Sequence, residues 1–136
     1  MNANRVFLDT NLLVYMYADD DRRKQRLAMR AFVTHECVVS TQVLSEFCNV
    51  AHRKLRLPLE VIGRDIEEIL RNCELFIIDA ATIQHALILQ GRYGYSYYDS
   101  QILAAAQESG CGQLFTEDLA DGQRVGELTI NNVFRE

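Results

Sequence analysis

Short apolar runs alternate along this chain with stretches of helical period. Arg5 to Leu8, Cys37 to Val39, Leu75 to Ile78 and Gln113 to Phe115 predict short buried strands, and a weaker run covers Leu128 to Asn131. Between them lie amphipathic stretches. Leu27, Ala28, Ala31 and Phe32 mark one helix, and Val43, Leu44, Phe47, Val50 and Ala51 mark the next. Ile62, Ile66, Ile69, Leu70 and Cys73 form a third stripe, opened by Pro58 and weakened by Gly63. Ala80 to Gln90, with Asp79 as its cap, and Ser100 to Ser109, closed by Gly110 and Gly112, complete the helices.

Strand, helix and strand in alternation predict an α/β fold. The expected core is a parallel five-stranded sheet with helices on both faces, a Rossmann-like three-layer arrangement. With 136 residues, no internal repeat and no linker-like tract, residues 1–136 read as a single domain. In open sheets of this kind ligands sit beyond the carboxyl ends of the strands. Polar residues just after a strand are therefore the ones to examine.

Four acids stand out by that criterion. Asp9 ends the first strand in Val6-Phe7-Leu8-Asp9-Thr10-Asn11, and Asp118 follows the fourth in Leu114-Phe115-Thr116-Glu117-Asp118. Asp99 opens a helix in Tyr97-Tyr98-Asp99-Ser100-Gln101. Glu46 lies inside an apolar helix, roughly 110° from the centre of its buried stripe at ~100° per residue, at the border where it can reach a cleft. Each alone has a structural reading: a capping acid for Asp9, an N-cap or loop acid for Asp99 and Asp118, a solvated flank residue for Glu46. Gathered together they would repel, by about 4 kcal/mol for a pair ~4 Å apart at an effective dielectric of 20. A fold that collects them needs a cation or raised pKa values. Magnesium and manganese favour such hard oxygen donors.

In these segments the chain resembles the PIN-domain ribonucleases, and within them the VapC-type toxins of type II toxin–antitoxin systems. Asp9-Thr10-Asn11 is similar to the family's opening motif, and Ser40 to Phe47 to the motif that supplies a helical glutamate. Tyr95 to Ile102 resembles the third motif, and Phe115 to Leu119 the fourth, a Thr followed two residues later by an acid. The resemblance implies a metal-dependent endoribonuclease that hydrolyses RNA phosphodiester bonds with Mg²⁺ or Mn²⁺. It makes Asp9, Glu46, Asp99 and Asp118 the catalytic, metal-binding acids, with Thr10, Asn11 and Thr116 in support. At the fourth position Glu117 and Asp121 are near rivals of Asp118. A cognate antitoxin and a homodimer are further implications.

The remaining features change this picture little. A net charge of −5 runs against the basic character expected of a nucleic-acid binder, although a bound cation offsets clustered carboxylates locally. No apolar run approaches the ~18 residues of a membrane span. Cys37, Cys48, Cys73 and Cys111 have no disulfide or zinc spacing, so free thiols in a reducing cytoplasm are expected. Tyr93, Tyr95, Tyr97 and Tyr98 could stack on unpaired bases or pack a loop. The basic groups Arg22-Arg23-Lys24 with Arg26, and His52-Arg53-Lys54 with Arg56, are phosphate-steering surfaces or solvated faces. Cys48 and His52 lack a second ligand pair, His85 reads as a core or interface residue, and Gly91 to Gly94 is no phosphate loop. Two other classes stay open: a PIN-like scaffold that binds without cutting, and a Mg²⁺-dependent phosphate-handling α/β domain.

Overall fold

A computed structural model of the chain describes residues 2–135. The elements run β1 (Asn2–Leu8), α1 (Thr10–Tyr17), α2 (Arg22–Thr34), β2 (Glu36–Ser40), α3 (Thr41–Arg53) and α4 (Leu59–Asn72). They continue with β3 (Cys73–Phe76), α5 (Ala80–Tyr93), α6 (Tyr97–Glu108), β4 (Cys111–Phe115), β5 (Arg124–Val125) and β6 (Leu128–Asn131). One sheet has the order β3-β2-β1-β4-β6-β5, parallel throughout except where β5 meets β6.

The apolar runs read as strands occupy the centre of that sheet. Consecutive residues Val6, Phe7 and Leu8 are all buried, as are Val38 and Val39, so side chains on both faces are covered. Helices flank the sheet on both sides: α1 packs on α2 and α3, and α5 packs on α6. The helix starts follow local chemistry. Asp21, Ser40, Asp79 and Ser96 each accept a hydrogen bond from a first-turn amide, and Asp79 forms a reciprocal capping box with Thr82.

Three expectations need correction. The sheet has six strands rather than five, because Arg124–Val125 folds back antiparallel on β6. A two-residue strand carries too little hydrophobic pattern to be visible in sequence. The third strand begins two residues earlier than expected, at Cys73, which leaves the helical stripe to pair with Cys37 of β2. Finally, Gly110 does close α6 in the left-handed conformation, but Gly112 lies within β4. A Cβ there would stand 2.7 Å from the Asn2 carbonyl oxygen, so the close approach of β1 requires glycine.

Because β1, β2 and β4 run parallel, their carboxyl ends share one edge of the sheet. Asp9, the start of α3 and the segment from Thr116 to Asp118 all leave from that edge.

Candidate active site

Asp9 is only 4 % exposed, and every bond it makes fixes its orientation. It caps α1, with Oδ1 accepting the Thr10 amide at 2.7 Å. Its Oδ2 accepts the Thr116 hydroxyl at 2.7 Å, and its own amide continues the strand pairing to the Phe115 carbonyl. Burial pushes the Asp9 carboxyl up to about 7, against those hydrogen bonds; the charges of Asp118 and Asp99 add to the rise.

The other three acids reach the same place from separate elements. Glu46 projects from α3, where Thr10 Oγ1 donates to its Oε1 at 2.7 Å. Asp99 lies in the first turn of α6, its amide bound to Ser96 Oγ. Partial burial and the charge of Asp118 raise the Asp99 pKa, opposed by a hydrogen bond with Ser96. Asp118 is held by Asn11, whose Nδ2 donates at 3.0 Å, while its amide donates to Thr116 Oγ1 at 3.1 Å. All four acids, with Thr10 and Asn11, line one cleft of about 280 Å³. Thr116 lies fully buried beneath it.

The rivals of Asp118 point elsewhere. Glu117 accepts from Tyr15 Oη at 2.5 Å and from Lys24 Nζ at 2.7 Å. Asp121 binds the Asn132 amide at 2.8 Å and pairs with Arg135 at 3.3 Å. Only Asp118 of the three lines the cleft.

Asn49, Val50 and Ile102 complete the walls, and sequence reasoning did not single them out for the site. Asn49 was legible in principle, because it lies three residues after Glu46 on the same helix. Arg53 and Lys54 line an adjoining cavity that shares Asn49 and Val50 with the cleft, whereas Lys24 is committed to Glu117. His85 is no core residue: it is half-buried, with Nδ1 2.7 Å from Glu108 Oε2. All four cysteines are free.

Among the described residues no group of three or more His, Cys, Asp or Glu side chains is placed to hold a metal ion by itself. The donor chemistry nevertheless suits a hard divalent cation. The cleft presents carboxylates from four separate segments of the chain, and it contains an orphan. Asn11 Oδ1 is buried without a hydrogen-bond partner, although its amide nitrogen is engaged by Asp118. Such an acceptor costs free energy unless a cation or a water satisfies it. An oxygen-binding cation fits both facts.

The comparisons with known proteins agree with this fold. A toxin–antitoxin complex from Klebsiella pneumoniae has a TM-score of 0.70 at 18% identity, covering 91% of this chain and 95% of that one. The Mycobacterium tuberculosis toxin VapC20, described as cleaving the sarcin-ricin loop, has a TM-score of 0.67 at 17% identity, with 80% and 86% covered. VapBC2 from Rickettsia felis, solved on a DNA fragment from its promoter, has a TM-score of 0.67 at 19% identity, with 94% and 98% covered. At these identities the likeness establishes a shared fold. No curated protein matches the sequence at a significant level. The PIN domain family profile matches residues 6–125, which take in Asp9, Glu46, Asp99 and Asp118, and the chain therefore belongs to the PIN domain family.

Proposed function

We propose that this chain is a divalent-cation-dependent endoribonuclease and the VapC-type toxin of a toxin–antitoxin pair. The observation that carries the reading is the meeting of four acids from β1, α3, α6 and the segment after β4 in one cleft. Asp9, Glu46, Asp99 and Asp118 would hold Mg²⁺ or Mn²⁺. When bound, the cation supplies an activated water and offsets charge on the phosphoryl oxygens.

The chain's own residues supply position. Thr116 fixes Asp9 and the Asp118 backbone through one oxygen, so these two acids keep their spacing. Thr10 draws Glu46 toward the Asp9 end of the cleft, and Asn11 does the same for Asp118. Such supporting groups orient ligands before the substrate arrives. The RNA phosphate would meet the acids at the open side of the cleft, where Asp118 is exposed.

The neighbours' descriptions as toxins and toxin–antitoxin complexes support an antitoxin partner. We infer also a homodimer, consistent with the exposed apolar face of Ile83, Leu87 and Ile88 on α5. The free thiols accord with a cytoplasmic setting, and no described helix is long and apolar enough to cross a membrane.

The deciding experiment is cleavage of a structured RNA panel with and without chelator. Cleavage that needs Mg²⁺ or Mn²⁺ and is lost in Asp9→Asn and Asp99→Asn is the expected result. Wild-type rates in either variant would overturn the assignment. Independently, millimolar Mn²⁺ should raise the melting temperature of the protein by mass action.

A further inference from the structure

Beside the acidic cleft lies a second, larger hollow, a cavity of about 490 Å³ that shares Glu46 and Asn49 with it as a common wall. We propose that this hollow is a nucleobase pocket, which takes one unpaired RNA base adjoining the phosphate held over the acids. The proposal rests on the ribonuclease reading above and adds the subsite that would choose where RNA is cut.

The two helices that build the cleft also build the pocket. On α6, Asp99 and Ile102 line the cleft, while Tyr98 and Gln101 line the hollow. On α3, Gln42, Ser45, Glu46 and Asn49 form one stripe at helical spacing along the floor. A nucleotide whose phosphate lies over Asp99 therefore has its base within reach of the residues on either side of that aspartate.

Tyr98 is the tyrosine of its group that faces outward, 63% exposed at the rim, where apolar surface is otherwise costly. Its ring is steadied edge-on by Tyr97, with centroids 5.3 Å apart. A fixed, exposed aromatic ring beside a polar hollow is what base stacking needs.

Gln42 supplies the polar reading head. Its Nε2 donates to the Tyr98 carbonyl at 3.1 Å, and its Oε1 accepts from Gln101 Nε2 at 2.8 Å. Gln101, only 7% exposed, is locked in turn by the Tyr97 hydroxyl at 2.7 Å. This chain fixes which end of the Gln42 amide faces which way. It still leaves one N–H and one carbonyl lone pair uncommitted. A donor and an acceptor in fixed order are the means by which an amide side chain discriminates between bases.

The far side of the cleft completes the track. Arg53 and Lys54 line the cavity beyond Asn49 and Val50, so base pocket, acids and basic residues follow one another along α3. From Gln42 to Arg53 the helix rises about 16 Å, a path that several nucleotides of single strand can follow. The order of an aromatic rim, metal-binding acids and a basic end suits a nucleic acid better than a peptide.

The test is end-sequencing of an RNA library with random unpaired loops, cut by the full-length protein in Mg²⁺ or Mn²⁺. Wild type should show a base preference at one position flanking the cut. Gln42→Ala should flatten that preference by roughly tenfold. Tyr98→Ala should raise KM about tenfold more than kcat changes, and Tyr98→Phe should restore the wild-type value. If wild type cuts but neither alanine variant moves preference or KM, the pocket is refuted and the nuclease stands. If no protein cuts, the nuclease reading falls, and the pocket is judged by fluorescence anisotropy of labelled short oligoribonucleotides. Binding lost in Tyr98→Ala and kept in Tyr98→Phe would sustain it, and binding indifferent to Tyr98 would end it.

Discussion

Thr116 and Asp9 lie 107 residues apart in sequence, yet Thr116 Oγ1 donates to Asp9 Oδ2 at 2.7 Å in the buried floor of the site. The same hydroxyl oxygen accepts the Asp118 amide at 3.1 Å. One threonine thus joins the acid that ends β1 to the acid that follows β4, and the spacing of the two does not depend on flexible side chains alone.

Removing that hydroxyl while keeping its shape isolates its role. Thr116→Val should destabilise the protein by about 1–3 kcal/mol, because it leaves buried polar groups unpaired. Cleavage should fall with it, whereas Thr116→Ser should retain most of both. Thermal melts and initial rates on one RNA substrate decide the matter.

Asp9 makes stability depend on pH. Its carboxyl titrates near 7 in the folded chain, against an ordinary value of 3.8. Between those values the folded chain holds a proton that the unfolded chain releases, so metal-free stability should decline as pH rises from about 4 to 7, by up to ~4 kcal/mol. The raised pKa of Asp99 acts in the same direction. Urea titrations across this range should show the decline, reduced in Asp9→Asn and offset by Mn²⁺. A metal-free stability that instead rises over this range would contradict the burial argument.

Asn11 is a candidate oxygen donor beside the four acids of the cleft as well as the holder of Asp118. Asn11→Ala should weaken Mn²⁺ binding by about 10- to 100-fold, the range seen when supporting groups of metal sites are removed. Calorimetric titration of Mn²⁺ into wild type and variant measures it. Equal affinities would exclude Asn11 from the site.

Lys24 anchors the segment that carries Asp118. Its ammonium binds Glu117 at 2.7 Å and Tyr15 at 3.1 Å, and lies over the rings of Tyr15 and Phe134. The carboxylate and phenol raise the Lys24 pKa, so it stays charged. Lys24→Met keeps the stem but strips the cation, leaving the half-buried Glu117 with the Tyr15 hydroxyl but without its counter-charge. A loss of about 1–2 kcal/mol is expected, with faster amide exchange from Thr116 to Leu119. Unchanged exchange in that segment would show that the anchor is dispensable.

Gly112 tests the fold itself. A Cβ at this position meets the Asn2 carbonyl at 2.7 Å and the Ala3 Cα at 2.9 Å, both backbone atoms that cannot swing aside. Gly112→Ala should cost about 1–3 kcal/mol by forcing β1 and β4 apart. A melting temperature within a degree of wild type would show that the edge of β1 yields freely.

Much of the molecule was legible from local pattern. The apolar runs around Val6, Val38 and Leu114 read as short buried strands, and parallel strands bring their carboxyl ends to one edge. That geometry puts Asp9 and Asp118 at the same end of the sheet, and the position of Glu46 at the border of its apolar stripe lets it reach a cleft. Strand β3 was misplaced by two residues because Cys73 fits a helical stripe and a strand equally well. Its partner Cys37, far away in sequence, decides the matter.

The sequence determined the layer architecture and marked the candidate acids, because hydrophobic period and strand-end position are properties of neighbouring residues. Only the tertiary structure showed which of Glu117, Asp118 and Asp121 lines the cleft, since that depends on Lys24, Tyr15, Asn11 and Asn132, which the fold brings from distant segments. It alone set Gln42 against Gln101 beside the acids, and revealed the cavity between α3 and α6. A side chain's neighbours are fixed by packing across the whole chain, and no local periodicity encodes them.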